Sequence, residues 1–562
     1  MLMLNRLLIL AFALLTFNAS ATDTYNQLNN QLSIPTVILG DTVYRDVVIT
    51  VGEVLTVGGI SSDPKYLAKP SSTPDTYDPI TNRLTIPNVN AFGLIYHDVV
   101  ITVDKVLSVN DSVPVDKLPY SWSLTSILSA GTIKTVGSAC GSYDIVARGD
   151  LNNDGNDDVI IGPKVKFSTL GCTVNPFAKP IVAIYDPLTK TYNSDSSIQA
   201  VLPEMQWLQY ANIDDFNGDG FKDIFAVGTG TDYGQPCGEA PMLMLGSANG
   251  LVDASDLLPR FAMYSHQATS GDFNGDGKTD FLILNNNWVP TESSDPKISQ
   301  CSYRKHPGSN KSYIVLSSGN TWKFSEFIVR KNNGDVVIDG NQSFHAVTSG
   351  DINGDGRTDL VIAGSNWGSL AQQTITLLGK GDGTFNYSSS FSVTPFGTDT
   401  VAVNVSIKQL NNSGTPELLI NFTRHPGGQA MAFQGSIYRI FKFNVATSLW
   451  SDSTDDFIAN KTALSDTDLT YCARLYWVDL NSDSKDDMVC ATVNPIPNNN
   501  IDGLSPRMWL TNDNKLMPAY HKGIDLARLL GSPTPVKIGS RFKIIGIPIT
   551  SIGTNLQIHI VE

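Results

Sequence analysis

The sequence predicts an all-β fold, on three observations. It contains internal repeats, its composition is rich in turn residues, and its apolar runs are short. The 562 residues include 46 Gly and 29 Pro, and only 17% are charged. This composition suits many short strands joined by turns better than long surface helices. A chain of this length is too long to fold around a single hydrophobic core of ordinary size. With this composition, the length indicates one large repetitive architecture.

Residues 1–21 have the features of a secretory signal peptide. Arg6 precedes an apolar run over residues 7–15, and Ala19-Ser20-Ala21 fits a signal-peptidase site. The run is shorter than the roughly 20 residues of a membrane-spanning helix, and no cysteine follows it to carry a lipid anchor. We expect cleavage after Ala21, with the mature chain in the periplasm, at the cell surface or in the medium, and without a transmembrane segment.

A first repeat, with a period of 52 residues, occupies the N-terminal part of the chain. Segment 44–51 recurs as 96–103 with seven of eight residues identical, and its β-branched residues indicate strands. A stretch rich in Ser and Pro separates the copies. We predict two small β modules, at 22–60 and 75–113, joined by a semi-rigid linker at 61–74 and serving as a spacer or stalk.

A second repeat, Asp-x-Asn-x-Asp-Gly-x-x-Asp, fills the rest of the chain. Five strong copies begin at Asp150, Asp215, Asp272, Asp351 and Asp479, and the last has Ser484 in place of the glycine. A sixth copy, from Gln409 to Glu417, keeps the frame but loses most of the charge. The starts are about 66 residues apart on average.

Each copy of the second repeat is followed by a short apolar run, such as 224–227 or 281–284. Such runs are typical of strands buried on both faces. Another apolar strand and a turn follow, so one repeat supplies about four strands, which is one propeller blade. One further step beyond Asp479 reaches an apolar strand near Phe542. We therefore predict a seven-bladed β-propeller over residues 120–562, with six or eight blades as alternatives, and strands between Tyr120 and Ile145 that help to close the ring.

The chemistry of the loops indicates calcium. Calcium takes six to eight oxygen ligands, and side chains at positions 1, 3 and 5 of a tight loop converge on one ion. Glycine at position 6 permits the positive φ of the reversing chain, and aspartate at position 9 completes the shell. About five calcium sites are predicted, with these candidate ligands: Asp150, Asn152, Asp154, Asp158, Asp215, Asn217, Asp219, Asp223, Asp272, Asn274, Asp276, Asp280, Asp351, Asn353, Asp355, Asp359, Asp479, Asn481, Asp483 and Asp487.

The EF-hand begins in the same way but needs a glutamate at position 12 and flanking helices. Position 12 of the five strong copies holds Ile161, Ala226, Ile283, Ile362 and Cys490. Strands follow each loop, so the EF-hand is excluded.

Over roughly residues 120–562, the loop motif resembles the FG-GAP or VCBS repeat family, which includes the propellers of integrin α subunits and of some sugar-binding lectins. The resemblance implies calcium in hairpin loops on one face of the ring. It also implies partners bound by other loops or by the grooves between blades. The decayed loop at Gln409 departs from the pattern, which puts calcium there in doubt.

The formal net charge of −15 argues against nucleic acid as a partner, because phosphates would be repelled. Positions 1, 5 and 9 of the five loops supply fifteen aspartates, three each, so much of the acidity is explained as metal ligand.

The cysteines are even in number, which favours disulfides in an exported protein, and their spacing matches no zinc site. They are Cys140, Cys172, Cys237, Cys301, Cys472 and Cys490. Cys472 and Cys490 flank one loop on strands that should be antiparallel, and we expect them to pair. The other four allow three pairings, of which we favour Cys140 with Cys172 and Cys237 with Cys301.

The sequence offers few candidates for catalysis. Neither a Gly-x-Ser-x-Gly elbow nor a His-Glu-x-x-His helix is present. His266 and His345 each lie six residues before a loop, and such repeated positions more often fill an inner strand. The Arg148-Gly149-Asp150 tripeptide is interpreted as a coincidence, because Asp150 begins a loop.

Sugar rings stack on aromatic faces, so exposed aromatic residues are candidate ligand contacts. The candidates are Trp207, Trp288, Trp367 and Trp477. The function predicted is that of an extracellular calcium-binding propeller, not an enzyme, used for adhesion or for binding a carbohydrate or protein ligand. The alternative is a polysaccharide-active lyase or hydrolase on the same scaffold, since a fold does not fix a function.

Overall fold

The computed structural model of the chain is almost entirely β-structure. It describes residues 23–39, 42–61, 75–78, 81–91, 94–108, 111–114, 127–134, 141–165, 179–230, 238–286, 306–319, 321–339, 344–364, 373–410, 415–425, 434–458, 471–480, 483–493, 507–512, 515–519, 534–547 and 555–561. The α-helices in this part of the chain are two short ones, α1 (Ser196–Val201) and α2 (Thr454–Phe457). No helix among the described residues is long and apolar enough to cross a membrane.

The two N-terminal repeats form a single eight-stranded sheet. The first copy contributes β1 (Asp23–Asn26), β2 (Gln31–Leu39), β3 (Thr42–Thr56) and β4 (Gly59–Ser61). The second contributes β5 (Asp75–Asp78), β6 (Arg83–Ala91), β7 (Leu94–Ser108) and β8 (Asp111–Pro114). Strands of one copy pair with strands of the other, as β1 does with β6, β2 with β5, and β3 with β7 and β8.

This shared sheet differs from the two separate modules expected at 22–60 and 75–113. The core takes equivalent residues from both copies, including Ile34 with Ile86 and Ile49 with Ile101. A β unit of about 40 residues buries too little apolar surface to be stable alone. Pairing across the copies builds one larger core instead.

Six four-stranded antiparallel sheets of consecutive strands follow, and each is one blade. Blade 1 consists of β10 (Gly141–Gly149), β11 (Asp158–Val165), β12 (Ile181–Asp186) and β13 (Thr191–Ser194), and comes after β9 (Ile127–Lys134). Blade 2 consists of β14 (Leu208–Asp214), β15 (Asp223–Gly228), β16 (Met242–Leu245) and β17 (Val252–Asp253). Blade 3 consists of β18 (Gln267–Gly271), β19 (Asp280–Leu284), β20 (Tyr313–Ser318) and β21 (Thr321–Glu326).

A small hairpin, β22 (Val329–Arg330) with β23 (Val336–Ile338), separates blades 3 and 4. Blade 4 consists of β24 (Phe344–Gly350), β25 (Asp359–Gly364), β26 (Gln373–Gly379) and β27 (Phe385–Ser392). Blade 5 consists of β28 (Thr400–Lys408), β29 (Glu417–Arg424), β30 (Gln434–Asn444) and β31 (Leu449–Asp452). Blade 6 consists of β32 (Tyr471–Val478), β33 (Asp487–Val493), β34 (Arg507–Asn512) and β35 (Lys515–Ala519).

The last sheet, which we call the closing sheet, is assembled from distant parts of the chain. It contains β36 (Thr534–Ile538), β37 (Arg541–Gly546) and β38 (Asn555–Val561), and β38 pairs with β9. Strand β36 contacts the first strands of both blade 1 and blade 6, which completes the ring. The described residues therefore form six blades of consecutive strands where seven were expected. The C-terminal strands gain their fourth strand from β9, within the 120–145 segment expected to help close the ring.

The second strand of each blade is the most deeply buried, as the apolar runs predict. Every residue of β15, β19 and β25 is buried. Because the strands are antiparallel, the acidic loops between first and second strands lie at one end of the ring. The connections between second and third strands lie at the other end.

Candidate functional site

The acidic loops share one hydrogen-bonding pattern, and the loop of blade 2 illustrates it. Asp215 at position 1 accepts the N–H of Asp219 at 3.1 Å and the N–H of Gly220 at 2.8 Å through its two oxygens. Asn217 at position 3 accepts the same Asp219 N–H at 2.9 Å. The side-chain oxygens of positions 1 and 3 therefore lie next to each other.

The other loops repeat this geometry. Position 1 is held by the N–H groups of positions 5 and 6 in all five strong copies, at Asp150, Asp215, Asp272, Asp351 and Asp479. The position 3 amide accepts from position 5 at Asn152, Asn217, Asn274 and Asn353. Asn481 lies outside the described residues. The carboxylate at position 5 accepts the N–H of position 7 at Asp154, Asp219, Asp276, Asp355 and Asp483.

Position 6 has the left-handed backbone that the motif predicts. The φ angles are 87° at Gly155, 89° at Gly220, 80° at Gly277 and 79° at Gly356. Ser484 adopts φ 66° at the same position. A residue with a Cβ is strained there, so the loop of blade 6 keeps its shape at a cost in stability.

The aspartates at position 9 have a second role that the sequence did not reveal. Asp223 is fully buried and accepts the N–H of Phe216 at 2.8 Å and the N–H of Gly246 at 2.7 Å. Phe216 belongs to the loop and Gly246 follows the third strand, so this carboxylate joins the loop to the blade. The same pair of bonds forms at Asp158, Asp280, Asp359 and Asp487.

Burial of these carboxylates disfavours their charged form, and the other aspartates of the loop repel it. Burial raises the pKa of Asp158 to about 7 and the pKa values of Asp223, Asp359 and Asp487 to about 6. A cation in the loop would oppose this shift, because an opposite charge favours the ionised carboxylate.

The decayed loop keeps the first of the two bonds made at position 9, the one within the loop. Glu417 is 1% exposed and accepts the N–H of Leu410 at 2.9 Å. The residues at its positions 3 and 5 lie outside the described residues.

The donor set of the loops fits calcium. Positions 1, 3 and 5 present carboxylate and amide oxygens on one tight turn, and oxygen is the ligand atom that calcium prefers. A carboxylate oxygen accepts more than one interaction, so the position 9 bonds do not prevent it from serving as a ligand. The described residues contain no cluster of three or more acidic, histidine or cysteine side chains set to hold a metal. Calcium at the loops therefore stays a prediction.

The other residues singled out by the sequence have mostly structural surroundings. His266 and His345 lie at the start of neighbouring inner strands with ring centroids 4.8 Å apart, and burial lowers the pKa of His266 to about 4. Trp207 is buried and Trp477 packs against the core of blades 5 and 6, so neither is an open stacking platform. Trp288 and Trp367 lie outside the described residues. Arg148 pairs with Asp157 at 2.8 Å and is only partly exposed.

The disulfide between Cys472 and Cys490 is present and joins the first two strands of blade 6, as predicted. Cys140, Cys172, Cys237 and Cys301 lie outside the described residues.

A cavity of about 370 Å³ lies where the first strands of the six blades meet. Sequence reasoning missed it, because its lining comes from six strands far apart in the chain. The polar lining consists of amide, hydroxyl and guanidinium side chains, with small apolar residues between them. Arg148 and Arg474 are its two charged residues among those described, and both are in ion pairs, with Asp157 and Asp144.

Comparison with known proteins identifies the repeat. The family described as FG-GAP-like repeat matches residues 215–283 and 351–420, which include the decayed copy. No curated protein matches the chain.

Several solved structures share a general likeness at low identity. The N-terminal domain of Nup159 is 11% identical, with 78% of this chain and 95% of that chain covered and a TM-score of 0.38. The periplasmic gluconolactonase of Pseudomonas aeruginosa is 10% identical, with 74% and 88% covered and a TM-score of 0.35. The Trypanosoma rangeli sialidase in complex with the inhibitor DANA is 12% identical, with 64% and 56% covered and a TM-score of 0.32. FG-GAP-like repeats form blades of this ring, so the chain is a β-propeller protein that contains FG-GAP-like repeats.

Proposed function

We propose that this protein is an exported, calcium-stabilised propeller that binds an extracellular carbohydrate or protein ligand and does not transform it. The observation that carries the proposal is the chemistry of the central cavity. A ligand site is typically a concave pocket of about 300–1,000 Å³ with a few polar groups among apolar ones. The central cavity, at about 370 Å³, has this size and this character.

The described lining favours binding over catalysis. It contains no aspartate, glutamate, histidine or cysteine side chain. General acid–base or nucleophilic catalysis needs a group that exchanges a proton near neutral pH. Arginine stays protonated, and burial raises the pKa of Tyr210 to about 12, so neither supplies such a group.

The experiment distinguishes a protein that binds its ligand from one that converts it chemically. Purified protein is applied to a glycan array and to immobilised extracellular proteins, and is incubated in parallel with plant and bacterial polysaccharides. We expect retention on an array or a protein surface, with no new reducing ends or unsaturated products. Product release at a rate that scales with protein concentration would reject the binding proposal in favour of a lyase or hydrolase.

The calcium part of the proposal has its own measurement. Each loop gathers carboxylates that repel one another without a cation, and an ion that binds only the folded state stabilises it. A chelator is expected to lower the melting temperature, and calcium to restore it better than magnesium, which requires stricter octahedral geometry. A melting temperature unchanged by chelation would reject calcium stabilisation.

A further inference from the structure

We infer that the central cavity takes a neutral saccharide unit of one or two rings. This inference rests on the proposed binding function and names its ligand class. Three properties of the cavity carry it: its balanced charge, its unused hydrogen-bonding groups and its size.

Charge balance disfavours a strongly ionic ligand. Arg148 donates to Asp157 at 2.8 Å, and Arg474 donates to Asp144. The side chains of Asp157 and Asp144 are only 12% and 5% exposed, so these pairs are largely desolvated. The two buried carboxylates already balance the charge of the two guanidinium groups, so an anionic ligand would gain little from them, and burying its charge without a partner of its own is costly. The formal charge of the two pairs is zero, which suits an uncharged ligand.

The hydrogen-bonding groups of the lining match hydroxyl groups. Three inner strands place the amides of Gln209, Asn212, Gln267 and Asn404 around the cavity, and Ser406 adds a hydroxyl. An amide side chain both donates and accepts, and so does a sugar hydroxyl, so each amide fits a polyhydroxylated ring. These groups come from blades 2, 3 and 5, so a ring in the cavity is contacted from several sides.

Two of these amides remain available for a ligand. The structure shows no hydrogen bond from the Gln267 side chain to another described residue. Asn404 donates its Nδ2 to the carbonyl of Cys472 at 2.8 Å, which fixes the amide plane and leaves Oδ1 as an acceptor. Because the Asn404 amide is already held in place, its free acceptor loses little side-chain entropy on binding, which favours affinity.

The size and the apolar part of the lining limit the ligand further. A cavity of about 370 Å³ lies at the lower end of the range for small-molecule sites, about 300–1,000 Å³. It suits a sugar unit or the end of a glycan, and a long chain segment does not fit. Ala211, Ala268, Val347 and Val405 supply apolar contacts for the C–H groups of a ring, and Tyr210 and Tyr476 add aromatic surface.

The test is calorimetric titration of the full chain with matched sugars. The probes are neutral mono- and disaccharides, the corresponding uronic acids and the corresponding amino sugars, all at the same pH and ionic strength. We expect at least one neutral sugar to bind at least tenfold more tightly than its acidic and its amino counterparts. Equal or tighter binding of the acidic or the amino form would overturn the inference.

A pair of glutamine variants locates the site. Gln267→Ala removes an amide from the cavity and is expected to weaken the binding of the neutral sugar about tenfold, the effect of losing one or two good hydrogen bonds. Gln373→Ala changes a glutamine on the third strand of blade 4, away from the cavity, and is expected to leave the Kd unchanged. Melting curves verify that both variants fold. Folded Gln267→Ala protein with wild-type affinity would contradict the location.

The outcomes separate this inference from the proposed function. Binding of a protein ligand with no response to any sugar would overturn the saccharide assignment and leave the binding function intact. Turnover of a polysaccharide would overturn the binding function itself.

Discussion

At the residue scale, the loop motif predicted the left-handed backbone at position 6, and the role of positions 1, 3 and 5 as calcium ligands stays a prediction. Those positions act within one turn, so their spacing alone determines their geometry. Position 9 was assigned only as a metal ligand. Its hydrogen bond to the third strand, as between Asp223 and Gly246, joins residues 23 apart in sequence, and local spacing contains no information about such a contact.

Ser484 occupies the position where the other strong copies of the motif have glycine. Replacing it with glycine is expected to stabilise the protein. Its φ of 66° lies in the left-handed region that glycine adopts without strain. Glycine removes backbone strain from the folded state and adds conformational entropy to the unfolded state. Because the first effect is the larger in free energy, Ser484→Gly should raise the free energy of unfolding by about 0.5–1 kcal/mol.

Gly356→Ser is the matched reverse change. A Cβ added at Gly356 has no heavy atom within 4 Å, so the change in stability measures backbone strain alone. It should lower the stability by about 1 kcal/mol. Chemical denaturation curves of both variants measure these differences, and a Ser484→Gly protein less stable than wild type would contradict the strain argument.

Glu239 makes stability depend on pH. The carboxylate is 3% exposed, and burial raises its pKa to about 7 from the ordinary 4.5. The raised pKa favours the folded state below pH 4.5, and this contribution is lost as the pH rises toward 7. Glu239→Gln keeps an acceptor for the N–H groups of Gln206 and Trp207 but cannot ionise.

The melting temperature of Glu239→Gln minus that of wild type is therefore expected to be larger at pH 8 than at pH 5. Glu326→Gln, at an exposed position on β21, is the control and should show the same difference at both pH values. Calorimetric melting at the two pH values provides the comparison. A difference for Glu239→Gln that does not change with pH would exclude an ionisable buried carboxyl.

At the element scale, the periodicity of apolar runs predicted the blade. A strand such as β15, which is buried along its whole length, is recognisable in the sequence by its unbroken apolar run. The N-terminal repeat was harder to interpret, because identical repeats fit both two separate modules and one shared sheet. Pairing between β1 and β6 or between β3 and β7 depends on which arrangement buries more surface, and composition does not reveal that choice.

The loops are the elements that calcium is expected to occupy, and a pair of variants tests them. Asp276→Ala removes the position 5 carboxylate of the blade 3 loop, so metal analysis of dialysed protein should find one calcium ion fewer per chain. Glu417→Ala in the decayed loop should leave the ion count unchanged. It should still lower the melting temperature, because Leu410 loses a buried acceptor worth about 1–3 kcal/mol. An equal ion count in wild type and Asp276→Ala would remove blade 3 from the calcium sites.

At the scale of the whole molecule, the sequence predicted the ring and the need for a closing strand, and overestimated the blades of consecutive strands by one. The repeat spacing counts acidic loops and apolar runs, and it does not reveal which strands complete a sheet. Long-range pairing, such as that of β9 with β38, is set by the requirement that the last sheet find a partner for its exposed edge. The central cavity has the same origin, since it exists only once the six blades are assembled.

Ring closure depends on the loop of blade 1, which bonds directly to the closing sheet. Asp157, at position 8, is 9% exposed, and its N–H donates to the carbonyl of Lys537 in the closing sheet at 2.7 Å. Its carboxylate accepts the N–H of Lys537 at 2.8 Å and pairs with Arg148. Asn156 accepts the N–H of Gly539 at 2.9 Å. The equivalent residue in blade 6, Asp486, is 48% exposed and pairs only with Lys408 among the described residues.

Asp157→Ala is therefore expected to loosen the closing sheet, whereas Asp486→Ala is not. The substitution leaves the N–H of Lys537 and the guanidinium of Arg148 without this acceptor, at a cost of about 1–3 kcal/mol. Hydrogen exchange should become faster at amides 534–547 in Asp157→Ala and stay as in wild type at 344–364 in blade 4, because local opening is confined to the weakened unit. Asp486→Ala removes an exposed ion pair worth at most about 1 kcal/mol and should leave both regions unchanged. Uniformly faster exchange around the ring in Asp157→Ala would show that the blades unfold together, and that the contact between this loop and β36 does not hold the ring closed.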